Sequence, residues 1–230
     1  MLKDTIEFFE SKGFKYNESY EHTFTKKLNS GGIKLSLFFS DVGESNNSLY
    51  SLSLYKVEEI MLQIGVPYNN WVKEKKGKKL LYTVYDIFTD FQFTRRTITI
   101  GSEKAKKIIY INNPEDVGKW KEALFSYVEN EGMEFIEKYS HIPNILAEMD
   151  KIDQSNGHTY TPFILGRIDH LFRALIISKL CNDPKYLERK ERFDNIILQQ
   201  KYEKWHPYYE RLKEKLEMTD PIYNVGDDNT

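Results

Sequence analysis

"NNPEDVGKWKEALFSYVENEGMEFIEKYSHI", residues 112–142, is where the period of the chain changes. Asn113 suits an N-cap, because its short side chain can accept from the free amides of a first turn. Pro114 follows at the first helical position, where a missing N–H costs nothing. Glu115 and Asp116 come next, at the end of a helix whose dipole favours anions. Val117, Trp120, Leu124, Tyr127 and Val128 then recur at helical spacing. The same cap-before-proline device appears at Thr161–Pro162 and Asp183–Pro184, so three such starts mark the C-terminal half as helical. Further helices are expected over about 141–152, 184–201 and 205–217.

Upstream of that boundary the period is two. After a short amphipathic helix over 2–12, stopped by Gly13, "FKYNESYEHTF" places Phe14 and Tyr16, then Tyr20, His22 and Phe24, on one face of a strand. "SGGIKLSLFFSD" predicts a turn at Gly31–Gly32 and a second strand with Ile33, Leu35, Leu37 and Phe39 inward, so the pair reads as a hairpin. "SLYSLSLYK" alternates Tyr50, Leu52 and Leu54 against serines, a third strand with one wet face. "VEEIMLQIG" fits either a continued strand or a helical turn. "LLYTVYDIF", "FQFTRRTITIG" and "KKIIYINN" supply two or three more strands. The fold class is therefore α+β, with an N-terminal helix and an antiparallel sheet of about five or six strands followed by a helical half. The corresponding regions are 1–112 for helix and sheet, 113–218 for helices packed on the sheet, and 219–230 for a flexible tail.

Composition narrows the class. Hydrophobic content of 40% and charged content of 30% describe a globular chain and exclude a disordered or fibrous one. Cys181 is the one cysteine, so no internal disulfide forms, and its apolar setting predicts a buried, inert thiol. The N-terminal residues mix acids among apolar positions and show no signal peptide, and no apolar run approaches the ~20 residues that span a bilayer. A cytoplasmic location and no membrane partner are the expectations.

Familiar chemistries find little support. The five histidines, at 22, 141, 158, 170 and 206, lack the spacing of zinc helices, and there is no H-E-x-x-H or C-x-x-C, so no metal site is expected. "GESNNS" and "SGGIK" lack the spacing of a phosphate loop, and no G-x-S-x-G elbow occurs. Asp86, Asp90 and Glu103 do not place two carboxylates beside a lysine on one strand face, as metal-assisted nuclease chemistry requires. No catalytic residue and no cofactor are assigned.

Two charged stretches are candidates for binding. Residues 73–107 hold ten Lys or Arg against four acids, about +6 in a chain of net charge −2. Arg95 and Arg96 sit there beside Phe91 and Phe93, a combination that suits phosphates and bases. The alternation of those aromatics points them at a core instead, and solvated edge lysines that block strand pairing account for the stretch more simply. The other candidate lies in "TPFILGRIDHLFRALIISKL", residues 161–180. On a helix begun at Thr161–Pro162, Ile164, Leu165, Ile168, Leu171, Phe172, Leu175 and Ile176 share an arc of about 140°. Arg167, Asp169, His170 and Arg173 fall opposite, with Asp169 and Arg173 spaced for an intrahelical ion pair. This predicts a solvated or partner-facing helix side, with a ligand-binding face and a helix packed on the sheet by both sides as the other readings. Arg167, His170 and Arg173 are thus candidate binding residues, together with Arg95 and Arg96.

"FFESKGFKYN", "NNPEDVGKWKEAL" and "FIEKYSHIPNILAEM" together, within residues 4–152, resemble uncharacterised bacterial α+β proteins of the toxin-immunity type. That resemblance implies a stable scaffold presenting a variable surface to a protein partner, with no shared catalytic residues to carry over. The sequence therefore favours a non-enzymatic protein-binding function in which a partner is occluded. Two other readings remain. One is a hydrolase or nucleic-acid-processing enzyme with an anion-binding cleft at Arg167, His170 and Arg173, joined by His22 or Asp86. The other is a nucleic-acid-binding protein using residues 73–107.

Overall fold

Helix α1, Leu2–Ser11, ends at Gly13, whose φ of 81° is comfortable only without a Cβ. The computed structural model describes residues 2–17, 22–29, 31–37, 48–66, 83–88, 98–100, 107–109, 114–155, 160 and 163–225. The stretch read as one strand after Gly13 contains two, β1 (Lys15–Asn17) and β2 (His22–Lys27), paired antiparallel with Tyr16 opposite Phe24. β2 then pairs antiparallel with β3 (Gly31–Leu37), Phe24 opposite Leu35, which is the expected hairpin. Its turn is not at Gly31–Gly32, however. Leu28 and Gly31 exchange both backbone hydrogen bonds, so the chain has already reversed and Gly32 lies inside β3 opposite Lys27.

β4 (Ser48–Leu54) runs directly into α2 (Tyr55–Gln63), which settles the ambiguous "VEEIMLQIG" as helix. β5 (Val84–Phe88) completes a five-stranded sheet in the order β1-β2-β3-β4-β5. β6 (Ile98–Ile100) and β7 (Lys107–Ile109) form a separate antiparallel pair. The rest is helical: α3 (Pro114–Glu129), α4 (Glu131–Tyr139), α5 (Ile142–Gln154), α6 (Asp169–Leu180), α7 (Tyr186–Ile197), a 3-10 helix over Gln200–Trp205, and α8 (His206–Glu217). The architecture is α+β, an N-terminal helix and antiparallel sheet followed by a helical half. No helix among the described residues is long and apolar enough to cross a membrane.

The chain divides into two compact units, one of residues 1–52 and 85–138, the other of residues 53–84 and 139–230. The first is built on aromatics. Phe9 is fully buried against Phe24, ring centroids 4.4 Å apart, with the Phe14 ring edge-on to it at 5.4 Å. Phe8 stacks on Phe125 of α3 at 3.8 Å, which fixes α1 to that helix.

The second unit is organised around α6, which contacts α2, α5, α7 and α8. Eleven of its twelve residues are buried. A helix covered on all sides has no wet face, and this overturns the two-sided picture drawn from its sequence. Its start also differs from the Thr161–Pro162 expectation. Ile164 instead bridges Val84, and the Leu165 N–H donates to the Thr83 carbonyl at 3.0 Å. Gly166 at φ 134° then turns the chain before the helix begins at Asp169. Part of the stretch read as a frayed tail is bonded too. The Ile222 and Tyr223 N–H groups donate to the Leu180 carbonyl, and Val225 N–H to that of Cys181.

Candidate functional site

Arg173 sits one helical turn into α6 with its side chain 3% exposed. A guanidinium there must have its charge and donors matched, since leaving either unmatched in a dry site is costly. Glu58 of α2 supplies a bidentate partner: Nε donates to Oε1 at 2.9 Å and Nη2 to Oε2 at 3.0 Å. Nη1 donates to Asp169 Oδ2 at 2.6 Å and to the Leu165 carbonyl at 3.0 Å. The intrahelical Asp169–Arg173 pair is as the spacing predicts, but it is internal.

The carboxylates are held in turn. Thr83 Oγ1 donates to Glu58 Oε1 at 2.8 Å while accepting from the Leu54 N–H at 3.0 Å. Asp169 Oδ1 accepts from the Arg167 N–H at 2.8 Å, closing a turn around Gly166. A Cβ at 166 would lie 2.8 Å from the Asp169 carboxyl atoms, so both the turn and its φ require glycine. One charge cluster thus ties α2, the residues before β5 and the start of α6 together.

The other candidates separate. Arg167 is exposed, and it touches the cluster through its backbone. His170 is 5% exposed, its Nδ1 against the Arg167 carbonyl, which can only accept, so Nδ1 carries the proton. Burial holds its imidazole below the usual histidine range, against the pull of the Arg167 carbonyl and Asp169. Arg167, His170 and Arg173 therefore do not form an anion-binding face. Arg173 is already neutralised by two carboxylates, and His170 is interior. His22 and Asp86 belong to the other unit. Arg95 and Arg96 lie outside the described residues.

A second buried cluster escaped sequence reading. Arg189 of α7, 2% exposed, donates from Nε to Asp183 Oδ2 at 2.9 Å and from Nη2 to Asp150 Oδ1 at 2.6 Å. Its Nη1 reaches Asp153 and, at 2.8 Å, the Tyr160 hydroxyl. Ser178 Oγ adds a 2.6 Å bond to Asp183 Oδ2. Arg192 pairs with Asp153 at 2.9 Å, and Lys185 with Asp150 at 2.9 Å. Three carboxylates thus face three cations, joining α5, the α6–α7 connection and α7. Burial first, then the nearby carboxylate, pushes the Tyr160 phenol above its usual range, against the Arg189 and Arg192 charges. The sequence held a hint of this site: Asp150 and Asp153, and Arg189 and Arg192, are each spaced to share a helix face.

Both clusters bond inward, so what they do chemically is hold helices in register. Among the described residues, no group of His, Cys, Asp and Glu could hold a metal. A concave pocket of about 210 Å³ borders the second cluster at the α6–α7 junction, lined by Ser178 and Asp183 of that cluster and by Lys179, Asn182, Pro184, Tyr186 and Leu187. Lys179 Nζ lies 5.6 Å over the Tyr186 ring, on one side of it. No protein-family model, curated protein or solved structure matches this chain.

Proposed function

We propose that this chain is a non-enzymatic protein-binding scaffold, of the immunity type that the sequence resemblance implies. The observation that carries the reading is an apolar corner left open to solvent beside the α6–α7 pocket. Leu187 is 74% exposed, Met218 76% and Ile222 46%. They come from segments that meet at the C-terminal end of α6. The Glu217 carboxylate acts on the Tyr186 phenol, and the Ile222 N–H is bonded to Leu180. Exposed Lys185, Glu188, Glu217 and Asp220 are their close neighbours along the chain. Exposed apolar side chains interspersed with charged ones suit a protein-binding surface, in which charges steer encounter and buried apolar contacts slow dissociation. The closed clusters around Arg173 and Arg189 suit a scaffold that holds such a surface rigidly, which lowers the ordering cost of binding.

The test uses the products of the two reading frames that flank this one in its native genome. Each is co-expressed with the full chain, and any complex recovered is titrated by calorimetry. The reading predicts a complex whose Kd rises at least tenfold in a Leu187→Asp/Met218→Asp chain with unchanged circular dichroism and melting. Affinity unmoved by that double substitution, or no complex with either product, contradicts it.

A further inference from the structure

Two of the residues lining the α6–α7 pocket, Ser178 and Asp183, are locked by the Arg189 cluster. Asp183 Oδ2 accepts from Ser178 Oγ at 2.6 Å and from Arg189 Nε at 2.9 Å, and Oδ1 accepts from the Lys185 N–H at 2.9 Å. The carboxylate of the pocket is thus already neutralised and saturated with donors. Its cation is not. Lys179 is half-buried, its Nζ lies 5.6 Å from the Tyr186 ring centroid, and it has no carboxylate partner among the described residues. Two further carboxylates, Glu217 and Asp194, act on the Tyr186 phenol. Asp194 is paired with Lys190 at 3.4 Å, and Glu217 is exposed, where water and salt screen it. Pro184, Tyr186 and Leu187 give the pocket apolar lining beside this unmatched ammonium. Its volume of about 210 Å³ falls below the ~300–1,000 Å³ of sites for drug-sized ligands.

We propose that this pocket binds a small monocarboxylate, its anionic end on Lys179 and its short alkyl chain against Pro184, Tyr186 and Leu187. An ammonium is a compact charge with three donors on a flexible stem, and an anionic oxygen matches it better than a ring face does. The alkyl chain covers part of Leu187, which is 74% exposed without it. A neutral ligand makes no use of the Lys179 charge, and a dicarboxylate brings a second anion towards Asp183. A half-exposed ion pair with a few methylenes gives weak binding, with a Kd on the order of 1 mM. The site stands on the pocket alone, independently of the protein-binding reading.

The experiment titrates the isotope-labelled full chain with sodium butyrate at constant ionic strength and follows its amide resonances. Saturable shifts centred on residues 178–187 are expected. Butyrate should bind about tenfold tighter than acetate, since each buried methylene contributes up to about fourfold. Butyramide, which has the shape without the charge, should leave the resonances unmoved. Lys179→Met should weaken butyrate binding at least tenfold, and Lys179→Arg should retain it. Lys179→Gln takes the place of the methionine variant if that chain melts lower than wild type. Lys185→Met should have no effect, because Lys185 pairs with Asp150 and does not line the pocket. Shifts that fail to saturate, that butyramide or chloride reproduces, or that survive loss of the Lys179 charge overturn the site. Equal affinities for acetate and butyrate reduce it to a surface ion pair and overturn it as well. None of these results bears on the Leu187→Asp/Met218→Asp affinity test, so the pocket and the protein-binding reading fail separately.

Discussion

Replacing Arg173 by Met leaves Glu58 and Asp169 facing a neutral chain in a site where their side chains are 4% and 12% exposed. Glu58 retains the Thr83 hydroxyl and Asp169 the Arg167 amide, but four donated hydrogen bonds and the sole formal positive charge of the triad are gone. Removing one partner from a buried ion cluster typically costs roughly 3–5 kcal/mol. That is a large share of the ~5–15 kcal/mol that holds a typical fold together. With a urea slope of about 2 kcal/mol per molar, the midpoint should fall by about 2 M. The assay is urea unfolding followed by circular dichroism. Adding Glu58→Gln removes one stranded charge and should recover part of the loss. A loss below about 1 kcal/mol, with no recovery in the double variant, would refute the claim that Arg173 is a neutralising strut.

Three further outcomes follow from the same geometry. Gly166→Ala introduces a Cβ at φ 134° and within 2.8 Å of the Asp169 carboxyl, and should cost about 1–3 kcal/mol in urea unfolding. A neutral effect would contradict the turn described. Arg189→Lys keeps the charge but loses the fork that reaches Asp183, Asp150 and Tyr160, and should lower the melting temperature as a loss of about 2 kcal/mol or more would. An unchanged melting temperature would argue against a geometric role. For His170 the folded imidazole is held below its unfolded value of about 6.5, so the unfolded chain binds the extra proton first and wild-type stability should decline as pH falls through that range. His170→Gln should flatten that slope, and an identical slope in both chains would place the titration elsewhere.

Much of the architecture was legible because local signals and the fold agree. Gly13 stops α1, Phe24 and Leu35 mark facing positions of the hairpin, and α3 begins at Pro114 as the cap-before-proline pattern predicts. The α5, α7 and α8 spans match their periodic stretches within a few residues, apart from the 3-10 helix that closes the region after α7. What misled was α6. An arc of apolar residues identifies a buried side, but it gives no information on whether the opposite side is also covered. The covering groups came from Glu58, 115 residues away from Arg173, and from the Thr83 hydroxyl that orients it. No period or motif links such positions. The Arg189 cluster was missed for the same reason, since its carboxylates are drawn from α5 and from a residue that looked like a simple helix cap at Asp183.

The central claim is that the arginines of this helical unit are divided between interior struts and surface. Arginine-specific labelling of the native full chain with phenylglyoxal, read by peptide mass spectrometry, tests it directly. Arg167 should label readily, while Arg173 and Arg189, each 2% exposed, should remain unlabelled until urea unfolds the protein. Native labelling of Arg173 at the rate of Arg167 would contradict the account and restore that helix face as an anion-binding surface.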